Sequence, residues 1–406
     1  MPPRGGRRRR GPIVPRAQAR VNLAAIQRNC ARLRSELGPG TELCAVVKAD
    51  AYGHGVLPAA SAALAGGAGW LAVADAREAR ELREGGLSEV RLLVMSDMRG
   101  GELEQALAAD GEVIVWSERQ LAEVARAGGG RVHVKLDTGM GRLGTRDADE
   151  ATRVVRAARE TQGIELAGVM THFATADDLS DGGFFSAQLQ MFSEWARRIS
   201  AQQPGLLVHA ANSAATLREQ RAHFGMVRCG VAVYGLDPFG VDPAARGLEP
   251  ALELSSAVAE VKRCSPGQSV GYGRRFVAEA ETTVGVVPVG YGDGWRRGLS
   301  NNAEVLVAGR REPLVGTVSM DSFTVDLGAQ PGAQQMRDER VVLIGMQGSQ
   351  RITAEEIAQR LDTINYEITC GLTARVPRVY HRDGELVPDA WPAGAVQHGP
   401  GAESRA

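Results

Sequence analysis

From about residue 20 to residue 235 the chain alternates two patterns. Short apolar runs fall at Glu42–Lys48, Trp70–Ala74, Val90–Met95, Glu112–Trp116, Arg131–Leu136, Leu166–Thr171, Leu206–Ala211 and Met226–Val233. Between them Ala and Leu recur at helical spacing among Arg and Glu, as at Ala76–Glu84, Glu118–Ala127 and Ala148–Glu160, with Ser117 placed as an N-cap. Apolar runs of this length suit strands buried on both faces, and the amphipathic segments supply the helices that cover them. Eight such alternations predict an α/β chain that opens with a parallel (β/α)8, TIM-like barrel. An open doubly wound sheet is the competing arrangement. No G-x-G-x-x-G follows the first run, so dinucleotide binding has no support.

After Asp237-Pro238 the helical periodicity fades. Val-rich runs divided by Gly, Pro and Asn take over at Ala257–Lys262, Thr282–Gly290, Glu304–Ala308, Pro313–Met320, Ser322–Leu327 and Arg340–Gly345. They predict a separate, mostly-β C-terminal domain. One helix, Ala354–Leu361, opens on a capping box of Thr353 and Glu356. The expected organisation is a basic tail over 1–12, the barrel over 13–245, the β-rich domain over 246–385, and a Gly- and Pro-rich tail over 386–406.

Composition narrows the class. The chain is 44% hydrophobic and 23% charged, with a net charge of −1. That is ordinary for a globular protein and offers no basic field for nucleic acid. Five of the first ten residues are arginine, read as a solvated, disordered tail. Pro15 interrupts the only apolar residues behind it, which argues against a signal peptide, and no run of about 18 apolar residues predicts a membrane span. The five cysteines are widely spaced and lack a CxxC pair. They are expected to be reduced thiols in a cytoplasmic protein, with neither a disulfide frame nor a metal site.

The barrel prediction directs attention to the C-terminal strand ends, where such barrels carry their chemistry. Those ends read Lys48, Lys135 through Arg142, Thr171-His172, His209 through Ser213, and Arg228 through Gly230. A lysine amine in a low-dielectric pocket loses basicity, and the neutral amine condenses with an aldehyde. The aldehyde cofactor that carries a phosphate is pyridoxal 5'-phosphate. It needs a phosphate cradle, a partner for its ring nitrogen and a contact for its phenolic oxygen. Ser213, after Asn212 at a strand-to-helix junction, and Gly230-Val231, after the eighth run, are cradle candidates. A plain N-cap explains Asn212-Ser213 equally well, and a tight turn explains Gly230. Arg228 is either a surface or ion-paired arginine or a donor to an unprotonated pyridine nitrogen. His172 and His209 are either partners of Arg228 or satisfied core histidines.

The stretch Val46-Val-Lys-Ala-Asp-Ala-Tyr-Gly-His-Gly55, together with Lys135–Gly144, Thr171-His172, His209–Ala215 and Arg228–Val231, resembles the alanine racemase family. Tyr234-Gly235, Gly271-Tyr-Gly273, Gly290-Tyr-Gly-Asp-Gly294, Ser319-Met-Asp321 and Asn365-Tyr-Glu367 through Arg378 extend the resemblance, which spans about residues 14 to 382. It implies a pyridoxal-phosphate enzyme that interconverts L- and D-alanine by a two-base mechanism and supplies D-alanine for peptidoglycan.

On this numbering the resemblance makes Lys48 the cofactor lysine and the base on one face of the substrate. Tyr272, from the other subunit of a homodimer with shared active sites, is the base on the opposite face. Arg142 contacts the phenolic oxygen, and Lys135 is a carbamylation site paired with it. Tyr52 and Tyr366 join Asn212, Ser213, Gly230 and Val231 around the phosphate, with His172 and Arg228 on the ring. Met320 and Tyr291, from the partner, narrow the entrance to small substrates. His209 and Asp321 support from behind, and Arg378 lies on an access corridor. Racemisation of serine or another small amino acid, and a non-catalytic cofactor-binding protein, are the alternatives.

Overall fold

The computed structural model describes residues 16–387; the two expected tails, 1–12 and most of 386–406, lie outside the described residues. The chain divides into two compact units. The division is not contiguous in sequence. Residues 16–20 and Gly371–Val379 belong with Leu252–Thr363 in a β-rich unit, whereas Ile364–Cys370 belongs with Val21–Ala251 in the other. A first strand, β1 (Ala17–Asn22), leads to the helix Leu23–Ser35, which Asn22 caps through its side chain. That strand is not an apolar run: buried Ala17, Ala19 and Val21 alternate with Gln18, Arg20 and Asn22.

The unit containing Val21–Ala251 is a closed parallel barrel. Its strands are β2 (Glu42–Val46), β3 (Trp70–Val73), β4 (Arg91–Val94), β5 (Gly111–Val115), β6 (Gly130–Lys135), β7 (Ile164–Met170), β8 (Leu207–His209) and β9 (Met226–Cys229). Pairing of β9 with β2, Arg228 beside Cys44, closes the ring. All eight predicted runs contain strands, with ends that differ from the runs by a few residues. The last run ends in a tight helical turn, Val231–Tyr234, because Gly230 leaves the extended conformation. The covering helices include Ala76–Glu84, Glu118–Arg126 and Ala148–Glu160, capped by Asp75, Ser117 and Asp147.

In the β-rich unit the strands are β10 (Leu252–Ala257), β11 (Glu260–Cys264), β12 (Ser269–Val270), β13 (Phe276–Val277), β14 (Thr282–Val287), β15 (Glu304–Val307), β16 (Arg310–Val315), β17 (Phe323–Gly328), β18 (Arg340–Gln347) and β19 (Gln350–Ile352). Antiparallel pairing runs β11-β14-β17-β16-β15-β18-β10, with β19 on β18 and β12 on β13. The run Ala257–Lys262, read as one strand, is parts of two: Val258-Ala259 interrupts it, and β10 and β11 pair with different neighbours. Thr353 caps the helix Ala354–Arg360 as its capping-box sequence predicts.

No helix among the described residues is long and apolar enough to cross a membrane. The described residues hold no group of three or more His, Cys, Asp or Glu side chains placed to bind a metal.

Candidate active site

Strand β2 ends at Val46, so Lys48 lies just beyond it, at the start of a short turn, Lys48–Gly53. The backbone from Ala49 to Tyr52 is left-handed at four successive non-glycine residues, with φ of 53°, 52°, 53° and 55°. Each costs about 1–2 kcal/mol relative to ordinary helix, so the surroundings must hold the turn. The Glu78 carboxylate accepts from Ala49 N at 2.6 Å and from Ala74 N at 2.7 Å. The Asp50 side chain accepts from Val56 N at 2.8 Å. His54 Nδ1 lies 3.0 Å from the carbonyl oxygens of both Ala51 and Tyr52, and its ring stacks on Tyr234 at 4.5 Å. Two carbonyl partners require Nδ1 to carry the proton. Gly53 and Gly55 are required for a steric reason: side chains there would overlap the Thr369 carbonyl and the Tyr380 phenol.

The consequence is that Lys48 and Tyr52 are presented together. Burial, then the nearby Arg142 charge, lowers the Lys48 pKa. Tyr52 is buried, its phenol pKa raised by desolvation, and its ring lies 5.9 Å from that of Tyr366. Burial likewise raises the Tyr366 phenol. A side chain at Gly230 would overlap the Tyr52 phenol oxygen. Gly230 N donates to Ser213 Oγ at 2.9 Å, and Ala232 N approaches the same oxygen at 3.4 Å. Asn212 caps the helix Ser213–Arg218 by accepting from Ala215 N. The cap reading of Asn212 is therefore correct, and it coexists with a cluster of Tyr52, Ser213, Gly230, Val231 and Tyr366.

Arg228, on β9, is 3% exposed. Its guanidinium donates to Thr171 O at 2.9 Å, Ala210 O at 3.0 Å, His209 Nδ1 at 2.8 Å and His172 Nδ1 at 3.2 Å. None of these partners is a carboxylate, and burial pushes its pKa down to about 10. Burial and then the Arg228 charge hold both His172 and His209 well below the ordinary histidine value. Lys135, the last residue of β6, is brought down to about 8 by burial, then by Arg228 and Arg142. The Asp137 charge opposes this lowering, but that carboxylate accepts from Gly139 N and Gly141 N. Arg142 is exposed. The mouth of the barrel thus gathers Lys48, Lys135, Arg142 and Arg228 as a cluster of cations.

Tyr272, Tyr291, Met320, Asp321 and Arg378 belong to the β-rich unit. Tyr272, Met320 and Tyr291 are 75%, 53% and 43% exposed. Gly292 N donates to Met320 O at 2.9 Å and Tyr291 N to Ser319 O at 3.1 Å, so Tyr291 and Met320 share one ledge. Asp321 accepts from Arg375 at 2.6 Å, and Arg375 also lies 3.4 Å from Asp293, which supports that ledge. Arg378 donates to the carbonyls of Leu372, Thr373 and Val376.

Sequence reasoning missed Glu78, which pins the turn, and His133 and Glu112, which lie behind His209. Strand alternation carried a signal for His133: it is two residues before Lys135 on β6 and so faces the same side.

The site's residues fit pyridoxal phosphate: a lysine amine whose pKa burial lowers, a buried cation with no contacting carboxylate, and a small polar cradle in which a side chain at Gly230 would overlap the Tyr52 phenol. Residues 21–238 match the family model of the alanine racemase N-terminal domain, and residues 251–380 that of the alanine racemase C-terminal domain. The chain is 42% identical over 393 residues to the alanine racemase of Streptomyces coelicolor, covering 92% of this chain and 98% of the relative. It is 40% identical over 377 residues to that of Geobacillus stearothermophilus, covering 91% and 94%. The solved structure of the Streptomyces coelicolor alanine racemase superposes with a TM-score of 0.84 at 39% identity, covering 90% of this chain and 97% of that one. That of Bacillus anthracis with bound L-Ala-P gives 0.82 at 35%, covering 93% and 98%. With both domains matched in order over nearly the whole chain, this protein belongs to the alanine racemase family and is an isomerase.

Proposed function

We propose that the chain interconverts L-alanine and D-alanine with pyridoxal 5'-phosphate, as a homodimer whose sites are shared. The observation that carries the reading is the barrel-mouth cluster of a deprotonation-prone Lys48 with a buried Arg228 that contacts no carboxylate. When bound, the cofactor acidifies the substrate's α-hydrogen by accepting electron density. Arg228 stays protonated and so would meet the ring nitrogen only as a donor, which would weaken that sink relative to a carboxylate partner. Tyr52, Asn212, Ser213, Gly230, Val231 and Tyr366 would hold the phosphate, and Arg142 would hold the phenolic oxygen.

Lys48 moves the proton on one face of the α-carbon, and Tyr272 from a second copy of the chain moves it on the other. An ordinary tyrosine, with a pKa of about 10, is a weak base. His172 assists it: because its Nδ1 accepts from Arg228, its proton sits on Nε2 and is free to stabilise a phenolate. Lys135, with an amine that titrates at about 8, is available as a carbamate to balance Arg142. Met320 and Tyr291, exposed on the β-rich unit, narrow the entrance from the second copy, with Asp321 fixing their ledge. The role follows as cytoplasmic supply of D-alanine for the cell wall.

Incubating the enzyme with L- and D-alanine, and with both serine enantiomers, in deuterated water tests reaction and substrate together. Deuterium at the α-carbon of both products from alanine, with far slower exchange from serine, is expected. Preferred exchange of serine would reassign the substrate, and no exchange with a bound cofactor would indicate a non-catalytic binder.

A further inference from the structure

Arg228 is the start of a hydrogen-bond chain that runs back through the barrel interior. His209 Nε2 lies 2.8 Å from His133 Nδ1, and His133 Nε2 lies 2.9 Å from Glu112 Oε2. All three side chains are fully buried. Arg91 closes the chain at the other end, its Nε 2.7 Å from Glu112 Oε1 and one terminal nitrogen 2.8 Å from Oε2; Arg131 Nε lies 3.3 Å from Oε1. The two imidazoles meet edge to face at 4.9 Å. A side chain at Gly168, the β7 neighbour of His133, would overlap His133 Nδ1, so the barrel wall leaves this ring its space.

The chain has one consistent assignment of protons. Arg228 has only donors, so His209 Nδ1 must be a lone pair and Nε2 must carry the hydrogen. His133 Nδ1 then accepts from His209, and its own Nε2 carries a hydrogen that can go only to the Glu112 carboxylate. A doubly protonated ring at either position would set two donors face to face. Burial, the first influence on each, lowers both imidazole pKa values and favours the neutral rings that this geometry requires. The charged groups acting on the pair are Glu112, Arg91, Arg228 and Lys135. On Glu112 burial opposes ionisation, but hydrogen bonds from His133 and Arg91 outweigh it and bring the carboxyl to about 2. Every hydrogen between Arg228 and Glu112 therefore points away from the arginine and toward the carboxylate.

We propose that His133 and Glu112 are positioning residues for Arg228: Glu112 fixes the tautomers of His133 and His209, so that His209 presents a lone pair, never an N–H, to the guanidinium. Were Glu112 unable to accept, His133 and His209 would gain by turning their hydrogens around. The His209 Nδ1–H would then face the Arg228 donors and displace them. The catalytic consequence rests on the reading above that Arg228 meets the cofactor ring; the proton arrangement does not.

The test is nitrogen NMR on 15N-histidine-labelled protein, with and without pyridoxal phosphate, using His133→Gln and His209→Gln variants to assign the signals. In the wild type both rings should show protonated Nε2 and unprotonated Nδ1 across neutral pH, cofactor or none. A protonated His209 Nδ1 in the wild type overturns the proposal, whatever the variants do. Glu112→Gln keeps an acceptor and, with Arg91 swinging to solvent, should keep both tautomers and stay within about threefold of wild-type turnover. Glu112→Met should give a mixed tautomer at His209 and at least about a tenfold loss. An unchanged His209 signal in a folded Glu112→Met protein, or equal losses in the two variants, would also overturn it. Failure of the cofactor assignment would instead appear as loss of any spectral response to pyridoxal phosphate, with the tautomer pattern intact.

Discussion

The phenol of Tyr52 occupies the space that a side chain at Gly230 would need. The two residues lie far apart in sequence, one on the left-handed turn after β2 and the other just after β9, the neighbouring strands that close the barrel. Their contact defines the floor of the proposed phosphate cradle. Gly230→Ala should therefore push Tyr52 out and weaken pyridoxal phosphate binding at least about tenfold, or about 1.4 kcal/mol, in a fluorescence titration. Unchanged affinity would remove these residues from the cradle.

Lys48→Ala should leave the purified protein without the visible absorption band of a lysine-bound pyridoxal cofactor and cut turnover by at least about 10²-fold. A variant that keeps the band would place the covalent attachment elsewhere.

Tyr272 is three-quarters exposed on a single chain, an unusual state for a base unless a second copy covers it. Tyr272→Phe should lower α-proton removal from L-alanine by about 10²–10⁴-fold while affecting D-alanine far less. Mixing it with Lys48→Ala subunits should restore activity through hybrid dimers that hold one intact site. No recovery after demonstrated subunit exchange would argue for sites within one chain.

Burial and two neighbouring arginines lower the Lys135 pKa from 10.5 to about 8. Between those values the unfolded chain binds more protons than the folded one, so this group makes stability rise with pH. Its cost is fully present below about pH 8 and is relieved toward about pH 10.5. Lys135→Met should stabilise the carbon-dioxide-free protein at about pH 7 by up to about 3 kcal/mol. The gain should shrink by about pH 9.5, as read from urea denaturation at the two pH values. An equal gain at both would show that Lys135 is not held as a strained cation.

The left-handed turn gives a backbone test. Ala49 is exposed, has φ of 53°, and donates its N–H to Glu78. Ala49→Gly relieves about 1–2 kcal/mol of strain against about 0.5–1 kcal/mol of lost chain entropy, so melting should rise slightly or stay level. Ala49→Pro fixes φ near −65° and deletes the donor. It should abolish cofactor binding even if the barrel folds.

Much of this was legible along the chain. Buried parallel strands must be apolar throughout, so eight apolar runs between amphipathic segments announced the barrel, and barrel geometry then singled out Lys48, Lys135, His172, Ser213 and Arg228 at strand ends. The helix caps were equally local: Ser117 and Thr353 are where hydrogen-bonding rules put them. What the chain could not reveal depends on contacts between distant residues. No pattern marks four left-handed residues at Ala49–Tyr52, since Ala, Asp, Ala and Tyr favour right-handed backbone; Glu78 and His54, placed by folding, hold them there. Val258-Ala259 read as mid-strand because apolar alternation continues through it, while sheet pairing divides it. His133 and Glu112 looked like single polar residues in apolar strands. Only closure of the barrel aligned them behind Arg228, where a buried cation without a contacting carboxylate needs a directed chain of acceptors.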